Sequence, residues 1–92
     1  MNDEITCHLE IVNEKGLHAR AAAKLVEVVE GFDASAEISH DGQNSGGDSI
    51  MGLLMLAASK GKTIDVRVWG PEAQPLAEAL TRLVEDRFGE DM

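Results

Sequence analysis

The sequence predicts an α+β fold: a four-stranded antiparallel sheet with three helices on one face, in the order β-α-β-β-α-β-α. Three observations point there. Segments such as Thr63 to Trp69 alternate apolar and polar side chains, the two-residue period of a half-buried strand. Between such segments, apolar residues recur at three- and four-residue spacing, the period of an amphipathic helix. Each strand has one polar face, so helices are expected to cover the sheet on one side only, as antiparallel sheets allow.

From Cys7 to Val12, Cys7, Leu9 and Ile11 share one strand face, and His8 and Glu10 share the other. Cys7 reads as a small buried apolar side chain. Asn13 to Gly16 is a turn, and His18 to Glu30 is a helix with Ala22, Leu25, Val26 and Val29 on its apolar face, closed by Gly31. Phe32 to Ser39 alternates again, with Ala34, Ala36 and Ile38 facing one way. Asp41-Gly42 is a hairpin signal leading into a short strand near Gln43 to Ser45. Asp48 and Ser49 are N-cap candidates for a second helix, IMGLLMLAAS, which Gly61 closes. After the strand Thr63 to Trp69, Gly70-Pro71-Glu72 opens a last helix with Leu76, Leu80, Leu83 and Val84 on one face. Gly89 to Met92 is expected to fray, and the acidic stretch Glu85 to Asp91 reads as a solvated end. Trp69 reads as packing.

At 92 residues, 1–92 is expected to be one domain; 43% hydrophobic and 27% charged residues suit a globular chain. The net charge of -9, from 17 acidic and 8 basic residues, argues against nucleic acid or an anionic membrane as partner and favours proteins with basic patches. A lone cysteine excludes an internal disulfide and any CxxC site. The opening residues MNDEITCH lack signal-peptide features, and no apolar run approaches the roughly 18 residues of a membrane span, so a cytoplasmic, monomeric protein is expected. His8, His18 and His40 have no metal-ligand spacing; neither a metal nor a cofactor is expected.

The stretch GLHARAAAK, Gly16 to Lys24, carries the first functional signal. His18 stands at a helix start, where the first backbone N–H groups lack intrahelical partners and carry the positive end of the helix dipole, a ready anion site. Arg20 could reach the same anion with a planar charged fork, and alanines at 19, 21, 22 and 23 leave the approach open. Phosphorylation of the imidazole itself suits this arrangement. Position alone fits equally well a surface histidine serving as an irregular cap beside a solvated arginine. Arginine at a helix N-terminus has the unfavourable sign by about 0.3–1 kcal/mol, a small argument for a functional anion.

The second signal is GGDSIMGLLML, Gly46 to Leu56. Gly42 to Ser49 is a near miss to a phosphate-binding loop, with Asp48 where the lysine is needed. The following helix is apolar nearly all round. Ile50, Met51, Leu54 and Met55 fit an exposed patch for protein partners, and a helix fully buried in a small core fits almost as well. Asp48-Ser49-Ile50 at a helix start also fits a small acidic acyl carrier with a phosphopantetheine arm on Ser49, although acyl carriers are all-helical.

At these residues the chain resembles the HPr-like phosphocarriers of the phosphoenolpyruvate-dependent phosphotransferase system, including the nitrogen branch, NPr. GLHARAAAK is similar to that family's active-site motif and GDSIMGLLML to its regulatory-serine motif and second helix, at the expected separation. The resemblance implies an open-faced β-sandwich in this element order. It also implies that His18 accepts a phosphoryl group on Nδ1 from enzyme I and passes it to an enzyme IIA protein, with Arg20 assisting. Ser49 matches the serine that a kinase/phosphorylase modifies in some bacteria, lowering carrier activity, and Ile50, Met51, Leu54 and Met55 match the partner-binding surface. Such a carrier is a protein substrate rather than an ordinary enzyme. Ala21 departs from the family's usual proline after the arginine. GFDA and LLML look closer to the nitrogen branch and SIMGL to the sugar-type carriers, leaving the branch open.

Overall fold

In the computed structural model, which describes residues 4–92, the alternating segments form β1 (Ile5–Glu10), β2 (Ser35–His40), β3 (Gln43–Gly46) and β4 (Thr63–Trp69). The helical segments form α1 (Ala19–Glu30), α2 (Ile50–Met55) and α3 (Ala73–Glu85), followed by a 3-10 turn at Arg87–Gly89. The strands pair antiparallel throughout in the order β1-β4-β2-β3. Fold class and element order are those expected. Among the described residues, no helix is long and apolar enough to cross a membrane.

The register explains the core. Cys7 lies opposite Val66, Val66 opposite Ile38, and Ile38 opposite Ser45, so one row of side chains crosses the whole sheet on the helix-covered face. Ile64, Val66 and Val68 are at most 1% exposed, and the residues between them point to solvent. Leu25, Leu53, Leu76, Leu80 and Val84 close the core from the helical side. Asp41 and Gly42 both have positive φ (52° and 81°), as a two-residue hairpin turn requires. Cys7 is only partly buried, because β1 is an edge strand and α3 does not fully cover it.

The second helix is shorter than the apolar run suggested. It ends at Met55, and Ala57 takes a left-handed conformation (φ 52°), which costs an L-residue about 1–2 kcal/mol. The reversal turns Ala58 into the core at 2% exposure and aims its carbonyl at the Leu17 N–H, 2.9 Å away. Gly52 explains how α2 is seated: a Cβ there would collide with Ser45 Oγ of β3. The helix therefore rests on the sheet along its glycine, with Leu53 fully buried and Ile50, Met51 and Met55 turned outward.

The C-terminal segment does not fray. Phe88 is fully buried, and the backbone at Arg87 and Phe88 adopts positive φ (55° each) to place it. The Lys24 ammonium donates to the Phe88 carbonyl (2.6 Å), and the Glu14 N–H donates to the Met92 carbonyl (3.1 Å). The expected solvated acidic end holds for Glu85, Asp86 and Asp91, which are exposed, but the stretch is docked through Phe88 and the partly buried Glu90.

Candidate functional site

The segment before α1 is clamped to the connection between α2 and β4. Gly16 has φ 66°, and a Cβ on it would lie 2.7 Å from the Ala58 carbonyl oxygen and 2.9 Å from Ser59 Cα. Only glycine satisfies both the conformation and the close approach. His18 follows as the N-cap of α1, in extended conformation (φ -87°, ψ -176°), with no side-chain cap bond. The first intrahelical bond runs from the Ala22 N–H to the His18 carbonyl (2.8 Å). The amides of Ala19, Arg20 and Ala21 therefore precede the hydrogen-bonded ladder, and the first turn contains no acidic residue. A proline at position 21 would lose no helical hydrogen bond.

The His18 imidazole meets a residue that sequence reasoning missed. Its Nε2 hydrogen-bonds Glu90 Oε2, while Nδ1 has no hydrogen-bond partner among the described residues. The other Glu90 oxygen accepts from Asn13 Nδ2 (2.9 Å), and the same amide nitrogen donates to the Gly16 carbonyl (2.9 Å). Two acceptors on one side of Asn13 fix which end of its amide faces them. Asn13 is fully buried, with Oδ1 unpartnered among the described residues. The hydrogen bond from Asn13 is the main cause that holds the Glu90 carboxyl below its ordinary value of 4.5; His18 and Lys15 act in the same sense, and partial burial opposes them.

A depressed carboxyl pKa means that the unfolded chain binds the proton more readily than the folded one. The stability contributed by the docked Glu90 is therefore complete above the ordinary value of 4.5 and is lost as pH falls through the lower folded value. The difference in melting temperature between the parent and Glu90→Gln is expected to shrink on acidification from about pH 6 to about pH 3. A difference that stays constant across that range would contradict the assigned ionisation.

Arg20 is exposed and makes no ion pair among the described residues, so its guanidinium is available to an incoming anion. It lines an open cleft of about 420 Å³ with Lys15, Lys24, Glu90 and Asp91. The alanines divide: Ala19 and Ala23 are exposed, whereas Ala21 and Ala22 are fully buried and serve the core rather than the approach. Ser49 caps α2, its Oγ accepting from the Gly52 N–H (3.0 Å). Of the expected apolar surface, Ile50 (41%), Met51 (71%) and Met55 (70%) are exposed. Leu54 is half-buried against the core, because the short helix turns it partly inward. His8 and His40 have other partners, the Asp65 carboxylate (2.6 Å) and the Leu56 carbonyl (2.8 Å).

The family model described as "PTS HPr component phosphorylation site" matches residues 5–86. The chain belongs to the HPr family. It is a phosphocarrier of the phosphotransferase system, of the HPr/NPr type. It is 43% identical over 83 residues to the phosphocarrier protein HPr of Xylella fastidiosa (strain Temecula1), covering 90% of this chain and 93% of that one. It is 39% identical over 84 residues to the phosphocarrier protein NPr of Escherichia coli (strain K12), with the same coverage. The crystal structure of HPr-C-His from Thermoanaerobacter tengcongensis superposes with a TM-score of 0.86 at 33% identity, covering 98% of this chain and 99% of that one. HPr membership and the four-stranded sheet together remove the acyl-carrier alternative, which requires an all-helical domain.

Proposed function

We propose that His18 is the phosphoryl acceptor of this HPr-family carrier, taking the group from enzyme I and handing it to an enzyme IIA protein. One observation carries the reading: an imidazole caps a helix whose first three amides lack intrahelical acceptors, close in sequence to an arginine, and among the described residues neither its Nδ1 nor the guanidinium has a partner. In the transfer, the Nδ1 lone pair forms an N–P bond while the bond from phosphorus to the donor nitrogen breaks, its electron pair staying with the donor. The amides of the first turn and Arg20 stabilise the charge on the phosphoryl oxygens. Passing the group on is the same step in reverse, so the carrier ends unchanged. A monomer working in the cytoplasm between larger proteins is part of this proposal, and the acidic net charge suits it.

Incubation with phosphoenolpyruvate and enzyme I tests the proposal. One acid-labile phosphate per chain is expected, and a chain that stays unlabelled would refute it. In the same assay, Arg20→Ala is expected to be labelled about tenfold or more slowly; an unchanged rate removes Arg20 from the mechanism.

Ser49 is proposed as a regulatory phosphorylation site. A phosphate there would sit at the start of α2, beside the exposed Ile50 and Met51. With ATP and an HPr kinase, an acid-stable phosphate is expected on the parent and not on Ser49→Ala; an unmodified parent mass would count against it.

Ile50, Met51 and Met55, with the half-buried Leu54 at their edge, form the proposed partner surface. Met51→Glu is expected to weaken enzyme I binding about tenfold or more, because a charge enters a desolvated contact. Its stability is expected to stay within about 0.5 kcal/mol of the parent, since Met51 is 71% exposed. Unchanged affinity in a titration would place the contact surface elsewhere.

A further inference from the structure

We propose that Glu90 is a positioning residue for His18: its carboxylate keeps the ring proton on Nε2 and so presents Nδ1 as the nucleophile, while Asn13 holds the carboxylate in place. This rests on the reading of His18 as the phosphoryl acceptor.

An ionised carboxylate can only accept hydrogen bonds, so the ring nitrogen facing Glu90 Oε2 has to be the protonated one. In a neutral imidazole the proton on Nε2 leaves the lone pair on Nδ1, which is the nitrogen without a partner. The arrangement is anchored from both ends. Asn13 Nδ2 is tied to the Gly16 carbonyl of the histidine loop and to Glu90 Oε1, so loop, carboxylate and ring form one connected unit. On the tail side, buried Phe88 and the bond from Lys24 hold the segment that carries Glu90.

The carboxylate also acts on charge. When the N–P bond forms at Nδ1, the ring becomes cationic and keeps its Nε2 proton. Glu90 lies against that N–H and stabilises the developing imidazolium, the role the aspartate plays toward histidine in serine hydrolases. When the phosphoryl group leaves, the N–P electron pair returns to Nδ1 and the ring is neutral again. No proton enters or leaves in either direction. The charged groups around the pair are Lys15 from the loop, Arg20 and Lys24 from α1, and Glu14 and Asp91 at the cleft rim. Of these, Lys15 acts on Glu90 through its charge and favours the ionised form.

Glu90→Gln separates this role from a structural one. Asn13 and His18 meet different oxygens of the carboxylate, and an amide in the same position has an oxygen at only one of those two places. With its oxygen toward Asn13 it turns an N–H donor to the ring and favours the Nδ1–H tautomer, which blocks the nucleophile. The ring nitrogens are read by 15N NMR, and the phosphorylation rate is read with enzyme I and phosphoenolpyruvate. In the parent, Nε2–H is expected to dominate. In Glu90→Gln the proton is expected to move toward Nδ1 and the rate to fall about tenfold or more. Glu90→Ala, offering neither acceptor nor donor, provides a second variant in which the tautomers mix and the rate falls less. An unchanged ring spectrum in the variants overturns the proposal, as does a Glu90→Gln rate within about twofold of the parent. A faster rate also overturns it and makes the contact inhibitory. The tautomer measurement needs no phosphoryl donor, so a parent that takes up no phosphate refutes the carrier reading while the ring spectrum still decides this one.

Discussion

His18→Ala is expected to abolish acid-labile phosphate uptake from enzyme I while leaving the chain folded. In the proposed transfer the imidazole supplies the acceptor nitrogen, and no neighbouring group can replace it, since Arg20 is permanently protonated and the first-turn amides are not nucleophiles. The fold has little to lose: the side chain makes no cap bond and is 25% exposed. Removing its contact with Glu90 loosens the tail locally, and a stability change below about 1 kcal/mol is expected by thermal denaturation. Mass spectrometry of the labelled protein at neutral pH and after acid treatment provides the functional readout. Label persisting on the variant would move the acceptor to another residue. His8 and His40 are the poorer choices, because one is tied to Asp65 and the other to the Leu56 carbonyl.

Phe88→Ala is expected to have the largest effect on stability, about 3–5 kcal/mol, and to lower the melting temperature by roughly 12 °C or more. The left-handed backbone at Arg87 and Phe88 costs about 1–2 kcal/mol per residue. Transfer of the phenyl ring from water contributes about 1.5–3 kcal/mol, and the packing lost in a cavity adds to that. Without the ring, the strained turn loses the burial that offsets it, and the segment carrying Glu90 is released. A melting temperature within about 3 °C of the parent would mean that the side chain is not part of the core. The variant is also expected to show the mixed ring tautomers of Glu90→Ala, since both remove the carboxylate from His18 without placing a donor there.

The elements with strong periodicity were legible in the sequence, and β4 was read to the residue. Alternation over seven positions leaves no other assignment, and the helical face of α1 was equally clear. The end of α2 was not legible, because Leu56 to Ala58 continues the apolar run and Ala57 is not a residue whose type announces a left-handed turn. The tail was misread for a related reason. A single phenylalanine among Glu85, Asp86, Arg87, Glu90 and Asp91 has no period, and only the cavity that receives it reveals its role. At the site, local rules placed His18 at the helix start and Arg20 beside it. They could not find Asn13 and Glu90, which are 77 positions apart and meet only through the docked tail. Asn13 had the signature of a turn residue, and that is the part of its role visible locally.

The docked tail also bears on how the protein can be handled. With the Met92 carbonyl bonded to Glu14 and Glu90 against the imidazole, a purification tag or reporter fused after Met92 would begin at the rim of the proposed acceptor site. Such a fusion would compete with the tail for its berth, or stand in the path of a docking partner. Transfer rates measured on it would then report the linker as much as the carrier. Cleavage of the fusion before kinetics restores the arrangement seen in the structure, and a difference in rate across that cleavage measures how much an occupied tail berth matters to the histidine.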